Sequence, residues 1–282
     1  MRIRTATLIL IGPGLVHLAW GQLRPPNTSG VSMGHLHYYV EDVESNRQFW
    51  MRLGGESVRR DEPAIIRFPD VLVFLDAGSP SGNTEGSVVN HVAFRVESLE
   101  TIEGAGFRVE RLEEFPGVAS VRTPEGERIE LFDETATNLA FTVDGGTPDP
   151  VAERHNRAIT VPIIAHHIHL YLPQGAENEA KAWYADLFGA IPGMRWRYPA
   201  VDLPGINLNF SGNANPQAPT RGRMLDHIGF EVRNLEDFSE DLEARGIALD
   251  VPYSVDLSGI GRAFLTDPWG TRIELTEGLE GR

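Results

Sequence analysis

Cysteine is absent from all 282 residues, which excludes disulfides, thiolate nucleophiles, iron–sulfur clusters and cysteine-type zinc sites together. Any metal this chain holds must be held by His, Asp or Glu. Positive charge is also scarce: 25 Lys and Arg stand against 40 Asp and Glu, a net charge of -15. No basic cluster is dense enough to follow a phosphate backbone. Nucleic acid is therefore excluded as a partner, while cations and small molecules are not. Uninterrupted apolar runs are missing as well. Ala6 to Leu18 is mostly apolar but is broken by Gly12-Pro13-Gly14 and falls short of the ~20 residues of a spanning helix. No integral membrane segment is expected in the mature chain.

The same N-terminal stretch has the layout of an export signal. Arg2 and Arg4 give a basic start, the apolar run follows, and Ala19-Trp20-Gly21 supplies small residues at a cleavage site. Residues 1–21 are expected to be removed near Gly21/Gln22 and the protein exported, to a periplasm or beyond. The remainder has an ordinary globular composition, 41% hydrophobic and 23% charged, and a length that suits two domains.

What is present in abundance is repetition. Asn90-His91-Val92-Ala93-Phe94-Arg95-Val96 recurs as Asp226-His227-Ile228-Gly229-Phe230-Glu231-Val232. Thr123-Pro124-Glu125-Gly126-Glu127-Arg128-Ile129-Glu130-Leu131 recurs as Asp267-Pro268-Trp269-Gly270-Thr271-Arg272-Ile273-Glu274-Leu275. Upstream, Gly34-His35-Leu36-His37-Tyr38-Tyr39-Val40 recurs as His166-His167-Ile168-His169-Leu170-Tyr171-Leu172. Element order is kept while loops lengthen, the mark of a duplicated module.

A weaker repeat lies inside each module: a His-led apolar strand, a helix, then short strands. Val43–Leu53, Leu99–Gly106, Glu177–Phe188 and Leu235–Arg245 are the predicted helices. Ala64–Phe68, Val71–Leu75, Arg108–Leu112 and Val118–Arg122 read as strands punctuated by Pro and Gly. The expected fold is α+β: two tandem modules, residues 31–134 and 163–277, each a pair of βαβββ half-repeats. A loop-like linker, 135–162, separates them, and Asn213 to Arg223 joins the half-repeats of the second module and is expected over its cleft.

The chemistry-bearing residues fall on these repeats. His35, His91 and Glu130 sit on predicted strands of the first module, and His167, His227 and Glu274 repeat the set in the second. Two imidazoles and a carboxylate can hold a divalent ion on one side and leave positions open to water or substrate. One histidine on a strand is ordinarily a packed residue; two matching triads are harder to explain that way. Glu130 and Glu274 lie in apolar Arg-Ile-Glu-Leu strands, where an unpaired carboxylate is costly. Arg128 and Arg272, two residues away on the same strand face, are an alternative partner. His37 and His169 follow their neighbours at the +2 position and share their face, as candidate proton-handling groups. Trp196, between Arg195 and Arg197, is a candidate wall for an anionic aromatic substrate.

The His-led strands, the Asp-Pro-x-Gly-x-Arg-Ile-Glu ending and the paired βαβββ halves resemble the glyoxalase/bleomycin-resistance/dioxygenase superfamily, also called vicinal oxygen chelate. The resemblance implies a curled mixed sheet around a metal cleft in each module. By motif position, it gives the ligand role to His35, His91, Glu130, His167, His227 and Glu274. It also implies a divalent ion (Fe2+, Zn2+, Mn2+, Ni2+ or Co2+) and a small oxygen-chelating substrate, with dioxygenase or lyase/isomerase chemistry. Departures from the family pattern narrow this. Glyoxalase I adds a fourth ligand whose counterpart falls near Val73 in module one, and near Asn207 or Asn209 in module two. Extradiol dioxygenases carry a tyrosine where this chain has Ser120 and Phe264. A non-catalytic, drug- or metabolite-binding protein of the bleomycin-resistance type is the alternative reading.

Overall fold

A computed structural model describes residues 23–61, 63–133, 140–146 and 159–279. The expected export signal, residues 1–21 with its cleavage site at Gly21/Gln22, lies outside the described residues. Among those described, no helix is long and apolar enough to cross a membrane.

The first half-repeat runs β1 (Val31–Val40), α1 (Val43–Leu53), β2 (Glu56–Arg59), β3 (Ala64–Phe68) and β4 (Val71–Ala77). The second runs β5 (Val89–Val96), α2 (Leu99–Gly104), β6 (Glu110–Arg111), β7 (Val118–Arg122) and β8 (Arg128–Asp133). After β9 (Phe141–Val143) the third runs β10 (Ile163–Pro173), α3 (Glu177–Phe188), β11 (Ile191–Arg195), β12 (Tyr198–Leu203) and β13 (Ile206–Asn213). The fourth is β14 (Leu225–Val232), α4 (Leu235–Ala244), β15 (Val251–Val255), β16 (Gly261–Thr266) and β17 (Arg272–Glu277).

The α+β class and the βαβββ half-repeats are as expected; the association of the halves was not foreseen. One eight-stranded sheet has the order β15-β16-β17-β14-β1-β4-β3-β2, so it joins the first half-repeat to the fourth. The other has nine strands, β6-β7-β8-β5-β10-β13-β12-β11-β9, and joins the second to the third. Within each half-repeat the His-led strand lies parallel to the last strand. At each joint two His-led strands meet antiparallel, β1 with β14 and β5 with β10.

Local sequence explains the elements. Asp42 caps α1 by accepting from the Ser45 amide at 2.9 Å, and Phe49, Trp50 and Leu53 form its buried face. Gly54, at φ 121°, ends the helix in a conformation that favours glycine. Trp50 reaches both sheets, with ring centroids 5.8 Å from Phe68 of β3 and 5.9 Å from Phe94 of β5. A single apolar cluster runs through both sheets and their helices.

Two β-bulges aim the histidines. In β1 the core residues are Val31 and Met33, then Leu36, Tyr38 and Val40; the alternation changes phase where the pairing with β14 shifts between Met33 and His35. In β10 they are Ile163 and Ala165, then Ile168, Leu170 and Leu172, with the shift between Ala165 and His167. Each bulge turns one strand residue out of register, so that His35 and His37, and likewise His167 and His169, face away from the core.

Two loop expectations need correction. The segment expected as a linker contributes β9, which pairs with β11; Phe141, paired with Arg195, is buried there with its ring against Gly193, where a Cβ would collide with it. Residues 213–223 are not part of the wall of the cavity formed by His91, Glu130 and His167. They lie against the corresponding connector of the first module: the Ala218 amide donates to the Gly86 carbonyl, and the Arg223 Nε to the Asn83 carbonyl.

Candidate metal centres

The joints between half-repeats decide which predicted ligands meet. The six expected residues do form two triads, but the grouping by module is overturned. His35 and His91, on β1 and β5, lie in different sheets. The first constellation is His35 and His37 of β1 with His227 of β14 and Glu274 of β17. The second is His91 of β5, Glu130 of β8, and His167 and His169 of β10. The physical reason is the pairing of His-led strands: His37 stands opposite His227, and His169 opposite His91.

In the first constellation a single carboxylate oxygen, Glu274 Oε2, lies 2.9 Å from His35 Nε2 and 2.9 Å from His227 Nε2. His227 Nδ1 donates to Asp226 Oδ1 at 2.6 Å, and Arg272 holds Asp226 in turn. His37 Nε2 donates to Asp76 Oδ2 at 3.0 Å. Burial pushes His35 down to about 4, against the pull of Glu274. Burial also pushes His227 down, but its hydrogen bonds to Asp226 and Glu274 prevail and hold it above its ordinary value. Glu274 would be raised by burial; the two imidazoles hold it well below the carboxylate range. Gly229 pairs with His35, and a Cβ there would collide with the His35 ring.

The second constellation is looser. His91 Nε2 and His167 Nε2 lie 3.2 and 3.6 Å from Glu130 Oε1 and 3.3 Å from each other. His91 Nδ1 sits between Asn90 Oδ1 at 2.8 Å and an Arg128 nitrogen at 2.6 Å. His169 Nε2 is 2.8 Å from the Ser211 hydroxyl. Burial pushes His91, His167 and His169 well below their ordinary value, which favours the neutral imidazole that a metal ligand must be. They form part of the wall of a cavity of about 190 Å3, together with Glu130, Arg128, Arg195, Asn209, Phe115, Trp196 and Tyr198.

Donor chemistry fits a divalent ion at both places. Two imidazole nitrogens converge on one carboxylate oxygen, at 2.9 Å in the first constellation and at 3.2 and 3.6 Å in the second, and among the buried atoms without a hydrogen-bond partner are His35 Nδ1, His37 Nδ1, Glu274 Oε1 and Asn209 Oδ1. The arginine alternative holds in part. Arg128 approaches Glu130 at 3.7 Å, whereas Arg272 is engaged by Asp226, and Arg262 takes the place beside Glu274 at 3.5 Å.

The place expected near Val73 is occupied by its neighbours. Val73 lies in the core; Leu72 and Phe74 pair with His35 and His37. In β13 the equivalent positions are Asn207 and Asn209, paired with His167 and His169. Ser120 and Phe264 stand directly opposite Glu130 and Glu274. Sequence reasoning missed Asp226, Asp76, Phe115 and Phe74. Only Asp226 had a visible signal, as the residue preceding His227 in the repeat.

Residues 163–275 match the family model of the Glyoxalase/Bleomycin resistance protein/Dioxygenase superfamily. No curated protein matches the chain. Solved structures are similar in fold. A glyoxalase I mutant from Zea mays aligns at 16% identity and TM-score 0.63, covering 88% of this chain and 94% of that one. A candidate dioxygenase from Bacillus subtilis aligns at 14% identity and TM-score 0.59, covering 91% and 86%.

Proposed function

We propose that the protein, whose residues 163–275 match the model of the Glyoxalase/Bleomycin resistance protein/Dioxygenase superfamily, is a divalent-metal-dependent enzyme of that superfamily. It acts at the second constellation on a small oxygen-chelating substrate, by dioxygenase or lyase/isomerase chemistry. The observation that carries this reading is the cavity of about 190 Å3 walled by His91, Glu130 and His167, because a metal site that leaves positions open to a cavity is the arrangement of a catalytic centre. A bound divalent ion supplies Lewis-acid stabilisation of negative charge on substrate oxygens, and, if iron, access to oxygen chemistry.

The chain's own residues define what enters and where a proton goes. Arg195 is 1% exposed and Arg128 half-buried; both line the cavity of an otherwise acidic protein, which selects for an anion. Trp196 stands at the tip of the β11–β12 hairpin at φ 52°, packed edge-on against Phe115 at 5.1 Å and covered by the Arg197 guanidinium at 4.2 Å. These rings form a wall suited to a planar substrate. His169 is assigned the proton-handling role: a neutral imidazole in the cavity wall, with its Nε2 positioned by Ser211.

The test is turnover of planar, oxygen-bearing acids by protein reconstituted separately with Fe2+, Mn2+ and Zn2+, in the parent and in Glu130→Gln and His169→Gln. Turnover that Glu130→Gln abolishes, and that His169→Gln lowers about 100-fold in kcat, supports the proposal. Full occupancy by metal with substrate bound and unchanged would overturn it in favour of a binding protein of the bleomycin-resistance type.

A further inference from the structure

The two constellations are equivalent by repeat, yet their surroundings differ. At the second, Asn207 and Asn209 pair with the histidines of β10, and a cavity opens in front. At the first, the matching positions are Leu72 and Phe74. The Phe74 ring stacks on His35 at 4.6 Å with an interplanar angle of 16°. It is in turn packed in a small apolar cluster with Ile65, Leu72, Ile260 and Leu279, with Leu23 laid against it. A groove of about 400 Å3 lies outside, lined by Phe74 and Arg262, so Phe74 stands between it and His35.

We propose that the first constellation is a closed, four-ligand site for a zinc-like divalent cation that fastens the first half-repeat to the fourth and takes no substrate. The ligands are His35, His37, His227 and Glu274, whose donor atoms all lie within 4.8 Å of one another. Structural metal sites are closed and four-coordinate, in contrast to catalytic ones. The inference rests on the proposed function only in leaving catalysis to the second constellation.

The donor set argues for the ion. Asp226 takes the Nδ1 proton of His227, which directs a ring lone pair from Nε2 towards Glu274 Oε2. The carboxylate oxygen meets two ring nitrogens at 2.9 Å, and a cation among them satisfies all three. Asp76 does for His37 what Asp226 does for His227: Nε2 donates to the carboxylate, leaving Nδ1 buried and without a hydrogen-bond partner. Such carboxylate-backed imidazoles are strong ligands. His91 Nδ1, by contrast, has no carboxylate behind it and faces the Asn90 amide and an Arg128 nitrogen. Glu274 Oε1 makes no hydrogen bond and has only the Arg262 Nε at 3.5 Å beside it, in a residue 3% exposed. Closure by Phe74 then slows escape.

The measurement is release of Zn2+ from the Zn2+-loaded full chain, challenged with EDTA and followed by metal analysis of the protein. The absence of cysteine removes thiolates as a source of slow zinc. We expect two phases of about one ion each, the slow one at least about tenfold slower. Glu274→Gln should remove the slow phase and lower the melting temperature, while Glu130→Gln should remove the fast one. Phe74→Asn, which copies the second constellation and keeps all four ligands, should accelerate the slow phase about tenfold; it keeps the test decisive if Glu274→Gln fails to fold. Release of both ions at one rate, loss of the slow phase in Glu130→Gln, or an unchanged slow phase in Phe74→Asn would each overturn the inference. No substrate enters the experiment, so failure of the proposed enzyme activity leaves the slow phase standing and is told apart from failure here.

Discussion

Gly229→Ala is the substitution on which the geometry of the first constellation can be weighed most directly. A Cβ at this position would lie 2.1, 2.2 and 2.6 Å from three atoms of the His35 ring, which is fully buried and has Phe74 stacked against it. The ring cannot tilt away without leaving Glu274, so the methyl must be accommodated by strain. Overpacking of this kind costs about 1–3 kcal/mol, or roughly 2–10 °C in melting temperature for a chain of this size. Urea unfolding reads the stability, and metal analysis after dialysis reads the ion. The molecule contains its own control, because Ala93 occupies the equivalent place opposite His167. Ala93→Gly should cost about 0.5–1 kcal/mol through backbone entropy alone and leave the ion content unchanged. A Gly229→Ala protein within about 0.5 kcal/mol of the parent, with its metal intact, would refute the claim that His35 is pressed onto the β14 backbone.

Three further outcomes follow from particular residues. Glu127 is fully buried and accepts from the amide and hydroxyl of Thr84; burial raises it to about 6. Its folded pKa exceeds the unfolded value of 4.5, so its contribution is fully present below pH 4.5 and is lost as pH rises through 6. Glu127→Gln should therefore recover about 2 kcal/mol of relative stability at pH 8 against pH 4.5, measured by urea unfolding at both. Trp196→Gly relieves a left-handed non-glycine backbone; it should leave stability within about 1 kcal/mol of the parent and weaken binding of a planar acid about tenfold by calorimetry. Tyr184→Phe removes the 2.8 Å hydrogen bond from the hydroxyl to Asp267, a buried carboxylate that anchors the turn before β17 through the amides of Trp269 and Thr271. It should lower unfolding free energy by about 1–3 kcal/mol.

Much of the local structure was legible because periodicity and punctuation carry it. α1 and α3 begin and end where their apolar faces and terminal glycines place them, and all six expected ligands lie in the two constellations. Their grouping was not legible, since His35, His91, His167 and His227 lead nearly identical strands and nothing local states which two pair. Long-range pairing is decided by the joint surface of whole half-repeats. The phase change in Val-Ser-Met-Gly-His-Leu-His was a readable bulge signal for His35 and His37 facing away from the core, but nothing local to β4 states that Leu72 and Phe74, rather than Val73, pair with them. Arg272 illustrates the opposite limit: its spacing from Glu274 suggested an ion pair, but the side chain reaches Asp226 on the adjacent strand.

The pairing of β1 with β14 also sets an order in time. On an emerging chain, β5 to β13 can assemble the nine-stranded sheet and its cavity before β14 has been made, whereas β1 has only β4 beside it until residue 225 onward arrives. Through that interval the side of β1 that β14 will cover is an open edge, the kind of surface that invites pairing with another chain. Closing it is the work of the fourth half-repeat, so a lesion in β14 or β17 would show as aggregation of newly made protein before it appeared as lost activity.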